Sequence, residues 1–349
     1  MWTLSIVAAA IACSGESTSA PAASIAEFEQ RLETLRDDGH IAGITAAISK
    51  GQQIVWAKGF GFADISAQRA PADTTTYHLA SLTKPFASTV LLQLVEAGKV
   101  SLDDPVSMYG INLSSSGVIR VRHLLSMTSE GDPGSKFVYN GDRFALLESV
   151  ITHAAGKSFA AALQERIISP IGLTRTAPNP QSASFSVSGL DKGAFEANLA
   201  RGYTYTNGAY SPTTYPGSFG PAAGLTASAL DIAKFSMAMD RDALLLPGTK
   251  ALAWTPVKNS VGDAFPYGLG WFSTEYRGVR VIWHYGYWTA NSSLIIKVPD
   301  RSLTFVVLAN TDGLSSPYPL GSGKLDSSPW AREFLDTFVI GSLALPDSR

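Results

Sequence analysis

The spacing of apolar positions changes period several times along the chain, and each change marks an element. From Ser24, a capping residue, Phe28, Leu32 and Leu35 recur at helical spacing until Asp37-Asp38-Gly39 ends the run. Two strand-like runs follow at 44–49 and 54–60, with Lys50-Gly51-Gln52-Gln53 as the hairpin turn between them. Residues 81–97 read as an amphipathic helix with Phe86, Val90, Leu91 and Leu94 on one side. Pro85 is tolerated in its first turn, and Gly98 stops it. Helical pieces are then expected at 118–127, 143–155 and 159–168, and an extended surface loop at 203–224, rich in Gly, Pro, Thr and Tyr. A helix at 228–239 leads into strand-like runs at 279–284, 293–298 and 303–308, with Pro299-Asp300-Arg301-Ser302 turning between the last two. A helix at 329–340 closes the pattern.

Strands near both ends of the chain, joined by short connections, imply one antiparallel sheet assembled from both ends, with the middle of the chain forming a separate lobe. The expected class is therefore α+β. An antiparallel sheet flanked by helices would be built from residues 24–98 and 224–349, with an all-helical lobe inserted at 99–223 and residues 1–23 lying outside both.

Composition narrows the chemistry. The 349 residues are 45% hydrophobic and 16% charged, which leaves ample apolar surface for a core and excludes a disordered chain. With 27 basic against 29 acidic residues there is no excess of positive charge to neutralise phosphates, so a nucleic-acid partner is not expected. One cysteine excludes an internal disulfide and a cysteine-built zinc site. The first 12 residues are apolar and precede Cys13 and a Ser/Ala/Pro-rich stretch, the pattern of an export leader. Ala10 and Ala12 suit cleavage before Cys13, which would make that residue a candidate for a lipid tether, and the expected location is periplasmic or at the cell envelope. No Lys or Arg precedes the apolar run, and an unstructured leader with an idle thiol fits the same residues.

Three short segments carry candidate chemistry. In Ser81-Leu82-Thr83-Lys84 the serine and lysine share a helix face one turn apart. A serine hydroxyl needs a proton acceptor to become a nucleophile, and a desolvated lysine can supply one. Backbone N–H groups at a helix start suit a developing oxyanion. The same spacing also describes an ordinary helix start with a solvated lysine, and about one such match is expected by chance. Tyr139-Asn140 follows a Gly-rich turn, and a tyrosine held between cations could act as a base; a buried aromatic bonded to backbone fits equally. In His284-Tyr285-Gly286-Tyr287, Gly286 permits close backbone approach, the N–H of Tyr287 could serve an oxyanion, and His284 could donate to a substrate carbonyl or carboxylate or be structural. No His-Glu-x-x-His, Gly-x-Ser-x-Gly, phosphate loop or dinucleotide fingerprint occurs, so no metal or cofactor is expected.

Taken together and in this order, Ser81-x-x-Lys84, Tyr139 and His284-x-Gly286 resemble the class C β-lactamase-like and penicillin-binding-protein-like serine hydrolases, a family that includes β-lactamase-fold esterases. Flanking text agrees: Ser101-Leu102-Asp103-Asp104-Pro105-Val106, Tyr267-Gly268-Leu269-Gly270-Trp271 and Val306-Val307-Leu308-Ala309-Asn310 are similar to family segments, and the likeness spans residues 25–340. The resemblance implies the β-lactamase/transpeptidase-like fold, with the site at the seam between sheet and lobe. It also implies Ser81 as acylated nucleophile, Lys84 as its partner, Tyr139 as general base, and the N–H groups of Ser81 and Tyr287 as oxyanion hole. Asn140, His284, Gly286 and Trp288 would contact substrate.

Two departures stand out. The family's second motif reads Tyr-x-Asn, whereas position 141 is Gly and the asparagine sits at 140. Its third motif begins with Lys, whereas here it is His284. A neutral imidazole holds an anion less well than an ammonium. The expected substrate is thus a small ester, or a less anionic amide or short peptide, with weak or no β-lactam turnover. A D-amino-acid peptidase and a non-catalytic penicillin-binding module remain as alternatives. Tyr203, Tyr205, Tyr210, Tyr215, Tyr287 and Trp288 could line an apolar pocket or merely pack the loops.

Overall fold

The computed structural model describes residues 24–341 and 345. The expected leader and Cys13 lie outside these residues. No described helix is long and apolar enough to cross a membrane.

Six strands form one antiparallel sheet: β1 (Gly43–Lys50), β2 (Gln53–Gly61), β3 (Phe272–Tyr276), β4 (Val279–Trp288), β5 (Asn291–Val298) and β6 (Leu303–Ala309). Their order across the sheet is β2-β1-β6-β5-β4-β3, so the N-terminal hairpin joins the C-terminal strands through β1 and β6. β1, β5 and β6 are buried almost throughout because both faces of the sheet are covered. Alternation along β6 shows this directly. Phe305 meets Phe28 of helix α1 (Ile25–Asp38) and Phe334 of the closing helix, while its neighbour Thr304 bonds Ser236 of the helix Ala229–Asp240 on the opposite face. Runs such as Leu303–Ala309 therefore read as continuous apolar sequence rather than as alternation.

The chain expected at 81–97 divides in two. Residues Ala80–Thr83 form a 3₁₀ turn, and helix α2 runs Lys84–Glu96 behind it. Residues 99–223, expected as an all-helical lobe, are helical at Val121–Leu125, Gly141–Ala145, Leu147–Ala155, Phe159–Leu163 and Lys192–Asn198. They also contribute Thr176–Pro178 to a three-stranded sheet with Leu225–Ser228 at the centre and Thr76–His78 on the other side. That small sheet sits immediately before the Ser81 turn, since Leu79 N donates to Leu225 O at 2.9 Å.

Two features differ from the expected pattern. The stretch 203–224 is not loop throughout: Tyr203–Thr206 and Ala209–Pro212 pair as a hairpin across Asn207-Gly208, both at positive φ. Asn-Gly is the favoured pair for such a turn. Strand β3 was not expected at all. It pairs with β4 through Arg277-Gly278, again both at positive φ, but arginine gives no turn signal at the first position.

Candidate active site

The site is built around a strained turn. Ala80 has φ +47°, a left-handed conformation costing roughly 1–2 kcal/mol for a residue with a side chain. Surrounding bonds hold it: Leu82 N and Ser293 Oγ both donate to Leu79 O, at 3.0 and 2.7 Å, and Thr83 Oγ1 donates to Ala80 O at 2.7 Å. Strand β4 passes directly against this turn. A Cβ on Gly286 would lie 2.2 Å from Leu79 O and 2.7 Å from Ser81 N. The backbone at 286–287 is thereby brought beside the Ser81 amide, the arrangement an oxyanion hole requires.

Lys84, the first residue of α2, is 1% exposed. Its amine lies 2.7 Å from Ser81 Oγ and 3.0 Å from the carbonyl of Ala222. Burial lowers its pKa to about 7, with Asp142 pulling weakly the other way. An unprotonated amine has one lone pair. Ala222 O can only accept, so one N–H points there, and the lone pair of the neutral amine can then take the Ser81 proton. Ala222 was not expected from sequence, because a main-chain carbonyl leaves no residue signature.

Tyr139 also reaches the site, though not in the electrostatic state expected of it. Its hydroxyl is buried without a hydrogen-bond partner of good geometry. The ring packs 5.6 Å from those of Phe272 and Tyr285, and the Lys84 amine lies 5.2 Å from its centroid. Burial pushes the phenol well above its ordinary pKa, reinforced by Tyr285 and Tyr287 and opposed by the nearby Ser81 hydroxyl. Burial thus works against the expected tyrosinate, pushing the phenol away from neutrality rather than toward it.

The expected substrate contacts of Asn140 and His284 are corrected. Asn140 caps the helix Gly141–Ala145, its Oδ1 accepting from Arg143 N at 3.0 Å and its Nδ2 donating to Glu130 at 2.6 Å. Its amide is committed to the fold. Position 141 faces the amine instead, for a Cβ on Gly141 would stand 3.9 Å from Lys84 Nζ. His284 is fully buried. Its Nδ1 lies 2.7 Å from Tyr285 O, which can only accept, so that nitrogen carries the proton. Burial, with the Lys84 charge adding to it, depresses its pKa far below the usual value. The ring is thus neutral, and Tyr267 OH donates to Nε2 at 3.0 Å. No free donor remains for a substrate carboxylate.

Of the aromatics expected around the site, Tyr287 and Trp288 are exposed on its rim, and Trp288 borders a small crevice with Ala80, Pro216 and Gly224. The others pack elsewhere. Tyr205 stacks on His40, Tyr210 packs against Tyr205, Tyr203 donates to Asp64, and Tyr215 lies over His78 and donates to Ala200 O. A cavity of about 580 Å³, lined by His78, Asn179 and Tyr215 among others, does not include Ser81. Ser81 Oγ, the Lys84 amine and the backbone at Gly286 meet outside that cavity.

Known proteins share this arrangement of elements. A penicillin-binding protein of Bacillus subtilis is 24% identical over 331 residues, covering 80% of this chain and 70% of its own. The chain spans 64–70% of the length of the first three curated relatives it matches. Among solved structures, the octameric penicillin-binding protein homologue from Pyrococcus abyssi aligns with a TM-score of 0.77 at 22% identity, covering 90% of this chain and 78% of that one. EstCE1, a hydrolase with promiscuous acyltransferase activity, aligns at 0.69 and 21% identity, covering 85% and 97%. These likenesses establish the β-lactamase/transpeptidase-like fold. With the family match running over residues 28–321, the chain belongs to the Beta-lactamase family.

Proposed function

We propose that the protein is a serine hydrolase that cleaves a small ester through an acyl-Ser81 intermediate. The carrying observation is the Lys84 amine, buried, near neutral and oriented by Ala222 O, at 2.7 Å from Ser81 Oγ. With a substrate carbonyl between the N–H groups of Ser81 and Tyr287, Ser81 Oγ attacks the carbonyl carbon as its proton passes to Lys84. The tetrahedral oxyanion forms against the two N–H groups. Lys84 returns the proton to the leaving oxygen, directly or through the protonated Tyr139 hydroxyl, and the carbon–oxygen bond breaks to release the alcohol. Water then gives a proton to Lys84 and attacks the acyl carbon. Ser81 leaves reprotonated and the carboxylic acid departs.

Esters are favoured over anionic β-lactams by what the cleft lacks. His284 is neutral and sealed, Asn140 is a cap, and Gly141 offers no amide. A short p-nitrophenyl ester should release a burst of nitrophenol equivalent to one per active site and leave an acyl mass increment on the peptide containing Ser81. Slow release without a burst, identical in a Ser81→Ala variant, would favour a binding module instead.

The likeness to a penicillin-binding protein supports a second reading, hydrolysis of D-amino-acid peptides. Position 141 separates the two. An asparagine there would reach both the amine and a substrate amide, so Gly141→Asn should raise amide or β-lactam turnover relative to ester turnover by about tenfold, the worth of one hydrogen bond gained at the transition state. Competition between the two substrate classes measures the ratio. An unchanged ratio would remove position 141 from substrate discrimination.

A further inference from the structure

The loop that carries Ala222 is closed at its base by one side chain. Asn179 follows the short strand Thr176–Pro178 and is fully buried. Its Nδ2 donates to Pro216 O, its backbone N donates to Gly224 O at 2.8 Å, and its Oδ1 accepts from Gln181 N at 3.0 Å. Pro216 and Gly224 are thus held together, and the chain between them returns on itself tightly. Gly220 and Ala223 exchange backbone bonds, and a Cβ on Gly224, at φ +97°, would fall 2.3 Å from Ser218 O. Phe219 anchors the outer side by stacking on Phe159 at 5.3 Å. At the tip, Ala222 O meets the Lys84 amine.

We propose that Asn179 is a positioning residue for Lys84: by holding Pro216 to Gly224 it fixes the loop whose Ala222 carbonyl aims the amine at Ser81 and keeps water from it. Asn179 touches neither substrate nor the reacting atoms. The donor to Pro216 is the essential group, since the bond to Gly224 comes from the backbone and survives any substitution. Titratable neighbours of the amine are Asp142 on the helix Gly141–Ala145, the Tyr139 phenol on the chain before it, and His284 on β4. None lies on the loop, whose residues 216–224 carry no ionisable side chain. Releasing the loop therefore changes the hydration of Lys84 without moving a charged partner away. Hydration favours the protonated amine, so the pH at which Lys84 becomes a base rises.

The inference rests on the Ser81–Lys84 reading, and one experiment separates the two. A fluorophosphonate probe, from which Ser81 Oγ displaces fluoride as Lys84 takes the serine proton, is reacted with the full chain across a pH range spanning neutrality, and the labelling rate and labelled residue are read by mass spectrometry. In Asn179→Ala and in Asn179→Asp, which keeps the acceptor for Gln181 but cannot donate to Pro216 as a carboxylate, the acid limb of the rate profile should move up by about one pH unit. Asn310→Ala serves as comparison: Asn310 is equally buried and bonds Gly43, Phe62 and Arg201, a network that includes neither Lys84 nor the loop 216–224. It should lower thermal stability and leave the limb in place. A limb unmoved in the folded Asn179 variants, labelling slowed equally at every pH, or failure of both variants to fold would each overturn the assignment in favour of a purely structural role. Absence of wild-type labelling at Ser81 would instead sink the reading beneath it.

Discussion

Lys84→Met should lower kcat/KM for an activated ester by about ten-thousandfold and at the same time raise the melting temperature. Both effects follow from one fact: the amine is held in a dry site that disfavours its charge, and its pKa falls from 10.5 to about 7. In the proposed mechanism the lone pair so exposed takes the Ser81 proton, and methionine leaves no amine within reach of Ser81 Oγ. Wild-type activity should rise with pH through about 7 as the amine loses its proton, and that limb should vanish in the methionine variant. For stability the sign runs against the wild type. An unfolded chain keeps Lys84 protonated up to its ordinary value, whereas the folded chain must either bury the charge or release the proton. The penalty is complete below about 7, declines as pH rises from there to 10.5, and is absent above. Methionine, of similar shape and no charge, escapes it, at roughly 2–4 °C for each kcal/mol recovered in domains of moderate size. Calorimetry at two pH values and ester kinetics on the same preparations check both halves. A variant that loses activity but melts lower at neutral pH would show the lysine to be a stabilising element and its amine to be charged.

What could be read from the residues alone divides along a physical line. Covalent spacing is local: Ser81 and Lys84 stand three positions apart at an element start, and the fold brings their side chains to hydrogen-bond distance. The strands at both ends of the chain were legible because sustained apolar runs mark buried strands whatever pairs with them, and β1 and β6 do pair. Protonation is not local. The phenol of Tyr139 is dominated by burial among Phe272, Tyr285 and other rings that sequence separates by well over a hundred positions. His284 looked like a donor for the same reason; its neutrality depends on the carbonyl of Tyr285 and the hydroxyl of Tyr267, and neither is visible as a pattern. Asn140 was different: it was expected to contact substrate, whereas Asn-Gly-Asp-Arg opens a helix that its side chain caps, a pattern the residues themselves carry. Asn207-Gly208, likewise, was a turn signal sitting in a stretch whose composition suggested only loop.

Gly286→Ala should reduce Ser81 labelling and ester turnover by about a hundredfold or more, through a single methyl group that touches no substrate. The Cβ would arrive 2.2 Å from Leu79 O, 2.7 Å from Ser81 N and 2.8 Å from Leu82 N, all of them backbone atoms that cannot rotate aside. Nor can either partner retreat cheaply. Gly286 pairs with Ser293 inside the sheet, and Leu79 O is already held by Ser293 Oγ and Leu82 N. Relief requires the Ser81 turn to move off β4 by about an ångström, a displacement of the size that costs about a hundredfold when it separates a nucleophile from its oxyanion donors. The strained Ala80 conformation makes that turn the part that yields, so folding should survive with a loss of about 1–3 kcal/mol while the site does not. Gly248→Ala is the contrast: a Cβ there meets nothing within 4 Å, and the residue lies in the helix Pro247–Trp254, so activity should be unchanged and stability equal or slightly higher. Labelling rates and melting temperatures of the two variants against wild type decide the matter. A Gly286→Ala protein labelled at the wild-type rate would mean that the strand edge is not what holds the serine amide in place, and that the oxyanion must be met by other donors.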